Sequence, residues 1–134
     1  MSKEEKTSIL VYTDGSCIKG DGGWCFMFVK EENNNFIVHG NERDTTNNRM
    51  ELRAVIEALN FGMYKKYKIV TDSLYVINGA IGKNKRNLNL DLWEKYDKIS
   101  KNKEIEYEWV KGHSGDKYNE IVDNFAFREA KGMK

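Results

Sequence analysis

The chain of 134 residues contains no proline and only two cysteines, Cys17 and Cys25. Without proline, the breaks between elements fall to glycine and asparagine. The two cysteines do not form a metal-ligand spacing, which argues against a thiolate zinc site, and they are too few for a disulfide framework. Reduced thiols are expected. No apolar run approaches the length of a membrane span, and the opening MSKEEK lacks the apolar stretch of a signal peptide. A cytoplasmic protein with no membrane partner is the expectation. Nor is there a basic excess, since 22 lysines and arginines meet 21 acids for a net charge of +1. Charge alone therefore does not announce a nucleic-acid partner.

What is present suffices for one domain with a real core, expected over residues 1–134 with its packed part at about 8–130. Residues 8–13 read as an apolar, β-branched strand that ends at Asp14. Gly20, Asp21, Gly22 and Gly23 read as a turn, and Trp24 to Lys30 as a second strand. Asn33, Asn34 and Asn35 signal another turn, followed by a third strand from Phe36 to Gly40. Short turns make these three strands antiparallel. From Arg49 onward, Leu52, Val55, Ile56 and Leu59 recur at helical spacing up to a stop at Gly62. Tyr67 to Thr71 reads as a buried strand and Ser73 to Ile81 as a short helix. Leu92, Tyr96 and Ile99 mark a helix face, and the alternation of Ile105, Tyr107 and Trp109 marks a fifth strand. Ile121, Val122, Phe125 and Ala126 form the stripe of a last helix. A meander followed by helix-separated strands predicts an α/β fold, a mixed five-stranded sheet with helices packed on it. No repeat or linker signals an appended domain.

Four carboxylates stand at the ends or beginnings of these elements. Asp14 follows an apolar run in TDGS, Glu51 opens a helix in TTNNRMEL, Asp72 follows Ile69 and Val70 in VTDS, and Asp123 lies in NEIVDNFAFREA. Acids at strand ends can converge on one edge of a sheet, and converging acids repel unless something positive sits between them. A pair of hard divalent cations is the simplest such body, and it serves phosphoryl chemistry. Each acid also has a plainer reading. Asp14 before glycine is a turn former, Glu51 a first-turn acid favoured by the helix dipole, Asp72 an N-cap, and Asp123 a surface acid.

Taken together, TDGS, TTNNRMEL, TDSLYV, EWVKGHSG and NEIVD occur in the order found in type 1 ribonuclease H. The chain resembles that family from about Ser8 to Arg128. The resemblance implies a ribonuclease H-like fold with helices on both faces of the sheet, three antiparallel strands and then two parallel. It implies an endonuclease, acting as a monomer, that hydrolyses the RNA strand of an RNA–DNA hybrid and leaves 5′-phosphate and 3′-hydroxyl ends. Asp14, Glu51, Asp72 and Asp123 would hold two Mg²⁺ ions, with Mn²⁺ able to substitute, and His113 would assist proton transfer or product departure. The resemblance further assigns Asn47 and Asn48 to the minor groove, Thr46 to a DNA-strand phosphate, Tyr75 to a DNA sugar, and Asn119 to the substrate. Asn48 equally reads as a helix cap, and Tyr75 as core.

The departures concern substrate binding. The resemblance implies a short form, expected to lack the basic protrusion and an N-terminal hybrid-binding domain; Gly82, Lys83, Asn84, Lys85, Arg86 and Asn87 make only a short basic loop. Asp44 stands where an arginine is expected, beside Arg43, and Ile18, Lys19 and Gly20 replace an asparagine and a proline. Weak substrate affinity is expected, with the metal chemistry untouched. Two other readings compete. A nucleic-acid-binding module that has lost catalysis would lack one of the acids, and all four are present. Another two-metal nuclease or strand-transfer enzyme of the same fold is opposed by the TTNN and GHSG segments.

Overall fold

The apolar opening run does not stop at Asp14. In the computed structural model, which describes residues 8–30 and 34–132, β1 spans Ser8–Ile18 and β2 spans Asp21–Val29. Their turn is Lys19-Gly20, with φ of 52° and 86°. Both lie in the left-handed region, which matches a two-residue hairpin to the twist of its strands. The turn expected at Gly20 to Gly23 is therefore displaced, and Asp21, Gly22 and Gly23 pair with Ile18, Cys17 and Ser16. The strand glycines serve packing. A Cβ on Gly23 would lie 2.1 Å from the carbonyl oxygen of Ala126, and one on Gly22 would lie 2.4 Å from the Thr45 methyl.

β3 (Phe36–Glu42) pairs antiparallel with β2. Asn34 and Asn35 fall in the connection as expected, while Asn33 lies outside the described residues. Helix α1 (Asn47–Phe61) begins at the cap Thr46, whose Oγ1 accepts from the Arg49 N–H at 3.3 Å. Thr46 fills the capping role that Asn48 shared in the sequence reading. Gly62 ends the helix, its N–H donating to Ala58 at 3.0 Å. There follow β4 (Lys66–Thr71), α2 (Leu74–Ala80), α3 (Leu90–Ser100), β5 (Glu104–Trp109) and α4 (Lys117–Gly132).

The sheet order is β3-β2-β1-β4-β5. β1 pairs antiparallel with β2 and parallel with β4, and β4 pairs parallel with β5, the mixed sheet that the pattern predicts. Side chains alternate across a strand, and β2 buries both of its faces. Trp24, Phe26 and Phe28 join Val11, Leu52, Val55, Leu59, Ile69 and Trp93 in the core under α1 and α3. Cys25 and Met27 pack against Val122 and Ala126 of α4 on the other side. Helices thus cover both faces.

The connection between α2 and α3 is not the free basic loop that the sequence suggested. Arg86 donates from Nε to the Gly79 carbonyl at 3.1 Å and from Nη1 to both Asp97 oxygens at 3.0 and 2.8 Å. Its guanidinium lies 4.2 Å from the Trp93 ring centroid. Arg86 is committed to the fold, which leaves Lys83 and Lys85 as the loop's exposed cations.

Candidate active site

Asp14 lies inside the central strand, 2% exposed and paired across the ladder with Cys25. Its Oδ1 accepts from the Gly15 N–H at 2.9 Å. The position next to it is decisive for the geometry. A Cβ on Gly15 would fall 2.3 Å from the backbone nitrogen of Glu51 and 2.4 Å from the carbonyl carbon of Met50. Only glycine lets the start of α1 approach β1 so closely, and this approach carries Glu51, itself 8% exposed, to Asp14.

Asp72 follows the last residue of the neighbouring parallel strand β4. It does not cap α2. Ser73 does so, its Oγ accepting from the Val76 N–H at 3.1 Å, while Thr71 Oγ1 accepts from the Ser73 N–H at 3.1 Å. This division of labour leaves the Asp72 carboxylate to the cluster. Trp109 Nε1 donates to the Asp72 carbonyl at 3.1 Å, and a Cβ on Gly112 would lie 2.7 Å from Asp72 Oδ2. One ligand oxygen from each of Asp14, Glu51 and Asp72 lies within 4.8 Å of the others.

Asp123 stands outside that triple but adjoins it from α4, where its charge acts on Asp14. Its Oδ2 is 3.8 Å from His113 Nδ1. His113 has φ of 57° and a side chain 81% exposed, in a loop between Gly112 and Gly115. The loop thus brings His113 beside Asp123 of α4.

The electrostatics follow from enclosure. Burial first, then the charges of Glu51, Asp72 and Asp123, raises the Asp14 pKa far above the ordinary carboxylate range. Burial followed by Asp72 does the same to Glu51, and burial followed by Asp123 raises Asp72, with His113 opposing. Glu51 Oε1 is buried with no hydrogen-bond partner among the described residues. No lysine or arginine among them forms an ion pair with Asp14, Glu51 or Asp72. An orphaned acceptor among crowded, enclosed oxygens is the donor set that suits a hard divalent cation.

The predicted substrate residues divide. Thr46, Asn47 and Asn48 are exposed at the start of α1, and Tyr75 is half-buried in the first turn of α2. Asn119 differs from expectation. It is 1% exposed near the start of α4, its backbone N–H donates to Asp116 Oδ1 at 2.9 Å, and its own Oδ1 lacks a partner among the described residues. A side chain so enclosed does not present itself to a groove. Gly15, Gly112, Ser73 and Trp109 were missed as site-shaping residues. For Gly15, Ser73 and Gly112 the signal was adjacency to Asp14, Asp72 and His113, legible only once the approaching backbone is known; Trp109 carried no such signal.

The sequence pattern of the RNase H family matches residues 6–131. The chain belongs to the RNase H family. It is 39% identical to Ribonuclease H of Wolbachia pipientis wMel over 142 aligned positions, covering 94% of this chain and 95% of that protein. Among solved structures it resembles LC9-RNase H1, described as a type 1 RNase H with the type 2 active-site motif. The TM-score is 0.76 at 27% identity, over 96% of this chain and 74% of that one. LC11-RNase H1, solved in complex with RNA/DNA hybrid, shares the fold at a TM-score of 0.78 and 19% identity, over 93% of this chain and 98% of that one. The enclosed acids lie where the parallel pairing of β1 with β4 ends and the start of α1 closes on the sheet. No helix among the described residues is long and apolar enough to cross a membrane.

Proposed function

We propose that this ribonuclease H is an endonuclease that hydrolyses the RNA strand of RNA–DNA hybrids with two divalent cations. Magnesium is the expected ion and manganese a substitute, and the products carry 5′-phosphate and 3′-hydroxyl ends. The reading takes residues 1–134 as one catalytic domain, a monomer working in the cytoplasm. One observation carries it: the ligand oxygens of Asp14, Glu51 and Asp72 lie within 4.8 Å of one another. Enclosed like charges cost folding free energy, and a bound cation offsets that cost. Asp14, Glu51, Asp72 and Asp123 would hold the ions. When bound, such a pair activates a water and stabilises the leaving oxygen of an in-line displacement.

The chain's own groups do the remaining work. Gly15 holds Asp14 through its N–H and admits Glu51. His113, exposed and 3.8 Å from Asp123, takes or returns a proton at the rim of the site. Asn47 and Asn48 offer amide donors and acceptors to a minor groove, where a 2′-hydroxyl distinguishes RNA from DNA. The Thr46 oxygen accepts from the Arg49 N–H, leaving its O–H to donate to a DNA-strand phosphate. Tyr75, half-buried in the first turn of α2, would pack against a DNA sugar. Asn119 supports the site from within, at the start of the helix that carries Asp123. LC11-RNase H1, of the same fold, binds RNA/DNA hybrid, which supports the choice of substrate.

The test is a labelled hybrid beside duplex DNA and duplex RNA of the same sequence, with Mg²⁺ or chelator. Only the RNA of the hybrid should be cut, and only with metal. Asp72→Asn should lose more than the roughly 10- to 100-fold typical of losing a group that merely supports a metal ligand, while hybrid binding survives in part. Near-native turnover of that variant at saturating Mg²⁺, or equal cutting of duplex DNA, would refute the reading.

A further inference from the structure

We propose that Trp109 is a positioning residue for Asp72: its indole N–H holds the Asp72 carbonyl and thereby aims the Asp72 carboxylate into the cation-binding cluster. The inference rests on the two-cation function proposed above and names a group that acts on the site through another residue. It follows from the place of Trp109 in the fold and from where the ladder between β4 and β5 ends.

β5 carries the alternation Ile105, Tyr107, Trp109, but the last member departs from the other two. Ile105 and Tyr107 pack against the core under α1 and α3. Trp109 stands outside both core clusters and is 47% exposed. A half-exposed indole on an edge strand gains only part of the burial that its size allows. Its polar atom is the part with a defined partner, since Nε1 donates to the Asp72 carbonyl at 3.1 Å.

That carbonyl lies at a break in the backbone pattern. Trp109 pairs with Thr71, and the Val110 N–H donates to the Thr71 carbonyl at 3.0 Å, where the parallel ladder ends. Beyond it the Ser73 N–H turns to Thr71 Oγ1, and the Ser73 carbonyl accepts from the Ile77 N–H at 3.2 Å in α2. Asp72 therefore sits between strand and helix, and the indole reaches it from β5. Its carboxylate forms no ion pair with a lysine or arginine among the described residues, so the Asp72 backbone sets its aim. The chain after β5 closes the other side, where a Cβ on Gly112 would lie 2.7 Å from Asp72 Oδ2. Trp109 and Gly112 thus grip one residue by its carbonyl and by its carboxylate. His113 follows directly, 3.8 Å from Asp123. The indole bond fixes Asp72 and the His113 loop relative to each other.

The test compares Trp109→Phe, which keeps an aromatic ring and loses the donor, with Trp109→His at pH 8. The five-membered ring of a neutral histidine puts Nε2 close to where the indole has Nε1, so it restores a donor while giving up apolar area. Melting of the full chain is followed as Mg²⁺ is titrated, and cleavage of hybrid gives kcat and KM. The Mg²⁺ concentration at which Tm begins to rise tracks the dissociation constant. For Trp109→Phe that threshold should be roughly tenfold higher, the loss typical of a group that orients a metal ligand. Its kcat should fall by about as much at fixed Mg²⁺, with KM for hybrid within about twofold of wild type. In chelator its Tm should stay within about 2 °C of wild type, because little buried area is lost. Trp109→His should bring the Mg²⁺ threshold back to within about threefold of wild type. An indole that served only as apolar cover would give the reverse order, with phenylalanine the better substitute.

An unchanged Mg²⁺ threshold in Trp109→Phe, or a threshold in Trp109→His no lower than in Trp109→Phe, would each overturn the inference. A rise in KM alone for Trp109→Phe would overturn it too, because the exposed ring would then act on the substrate. Should Trp109→His misfold, Trp109→Gln, whose amide nitrogen also donates, takes its place. If Mg²⁺ raises the Tm of wild type and hybrid is cleaved, yet the variants match wild type, only the role of Trp109 fails. If Mg²⁺ leaves the melting of wild type unmoved, the two-cation function fails and this inference with it.

Discussion

Asp14→Asn should make the metal-free chain more stable at pH 7. Asp14 is 2% exposed, and burial, Glu51, Asp72 and Asp123 all raise its pKa. With the folded pKa above the unfolded one, the native state binds more protons between the two values. Stability is then full below the unfolded pKa and falls as pH rises through that window. Each unit is worth about 1.4 kcal/mol, and pH 7 lies about three units above an ordinary aspartate, which sets a ceiling of about 4 kcal/mol. Proton sharing with neighbours and local relaxation reduce this, so a gain of about 2 kcal/mol, or roughly 6 °C in Tm, is expected. The amide keeps an acceptor for the Gly15 N–H and adds a donor toward the neighbouring carboxylates. Melting curves of both proteins in chelator at pH 3, 5 and 7, repeated with Mg²⁺, provide the assay. The advantage should be largest at pH 7 in chelator and shrink at pH 3, where the carboxylates are protonated. It should shrink again with Mg²⁺, which stabilises only the intact site. A variant that melts lower in chelator, by a margin that Mg²⁺ does not move, would make Asp14 a structural strand residue and refute the reasoning.

Gly15→Ala should cost about 3 kcal/mol and weaken the Mg²⁺-induced rise in Tm, because its Cβ would meet the α1 backbone and push Glu51 away. Urea unfolding and a Mg²⁺ titration of melting check this, and an unaltered metal response would show that Glu51 is held by other means. Arg86→Ala should cost about 2 kcal/mol through its lost stacking and charge-assisted bonds, yet leave the salt dependence of hybrid binding where it was. Neutralising Lys83 and Lys85 together should do the reverse, lowering that slope by up to about two units with little change in stability. An equal effect of both changes on the slope would place Arg86 on the substrate after all.

The sheet and the acids were legible because each rests on a local pattern. Alternation marked β5, helical spacing marked α1 and α4, and acids beside apolar runs marked Asp14 and Asp72. What misled was glycine. Gly22 and Gly23 resemble a turn, and no local signal says that α4 and Thr45 will press against them. The hairpin turn passed instead to Lys19-Gly20, and β1 ran on past Asp14. Caps shifted for a similar reason. Asp72 and Ser73 are both good capping residues, and the choice between them depends on the cluster that claims the carboxylate of one. Arg86 looked like a free cation because the stacking of Trp93 beneath it is a contact across two elements. Asn119 looked like a contact residue because its motif says nothing about its depth.

The position of β1 also bears on how the chain reaches its active form. β1 and β2 are joined by a two-residue turn, and such hairpins close within microseconds. On its other edge β1 pairs with β4, where Tyr12 meets Val70, and the intervening chain must be gathered in before that parallel pairing forms. Closing so distant a contact spends chain entropy before the contact repays it, which makes parallel pairing slow. Asp14 lies in one of the two strands at this seam, and Asp72 directly follows the other. Asp14 and Asp72 are therefore brought together only when that parallel pairing forms. The cluster of Asp14, Glu51 and Asp72 exists only once the fold is closed.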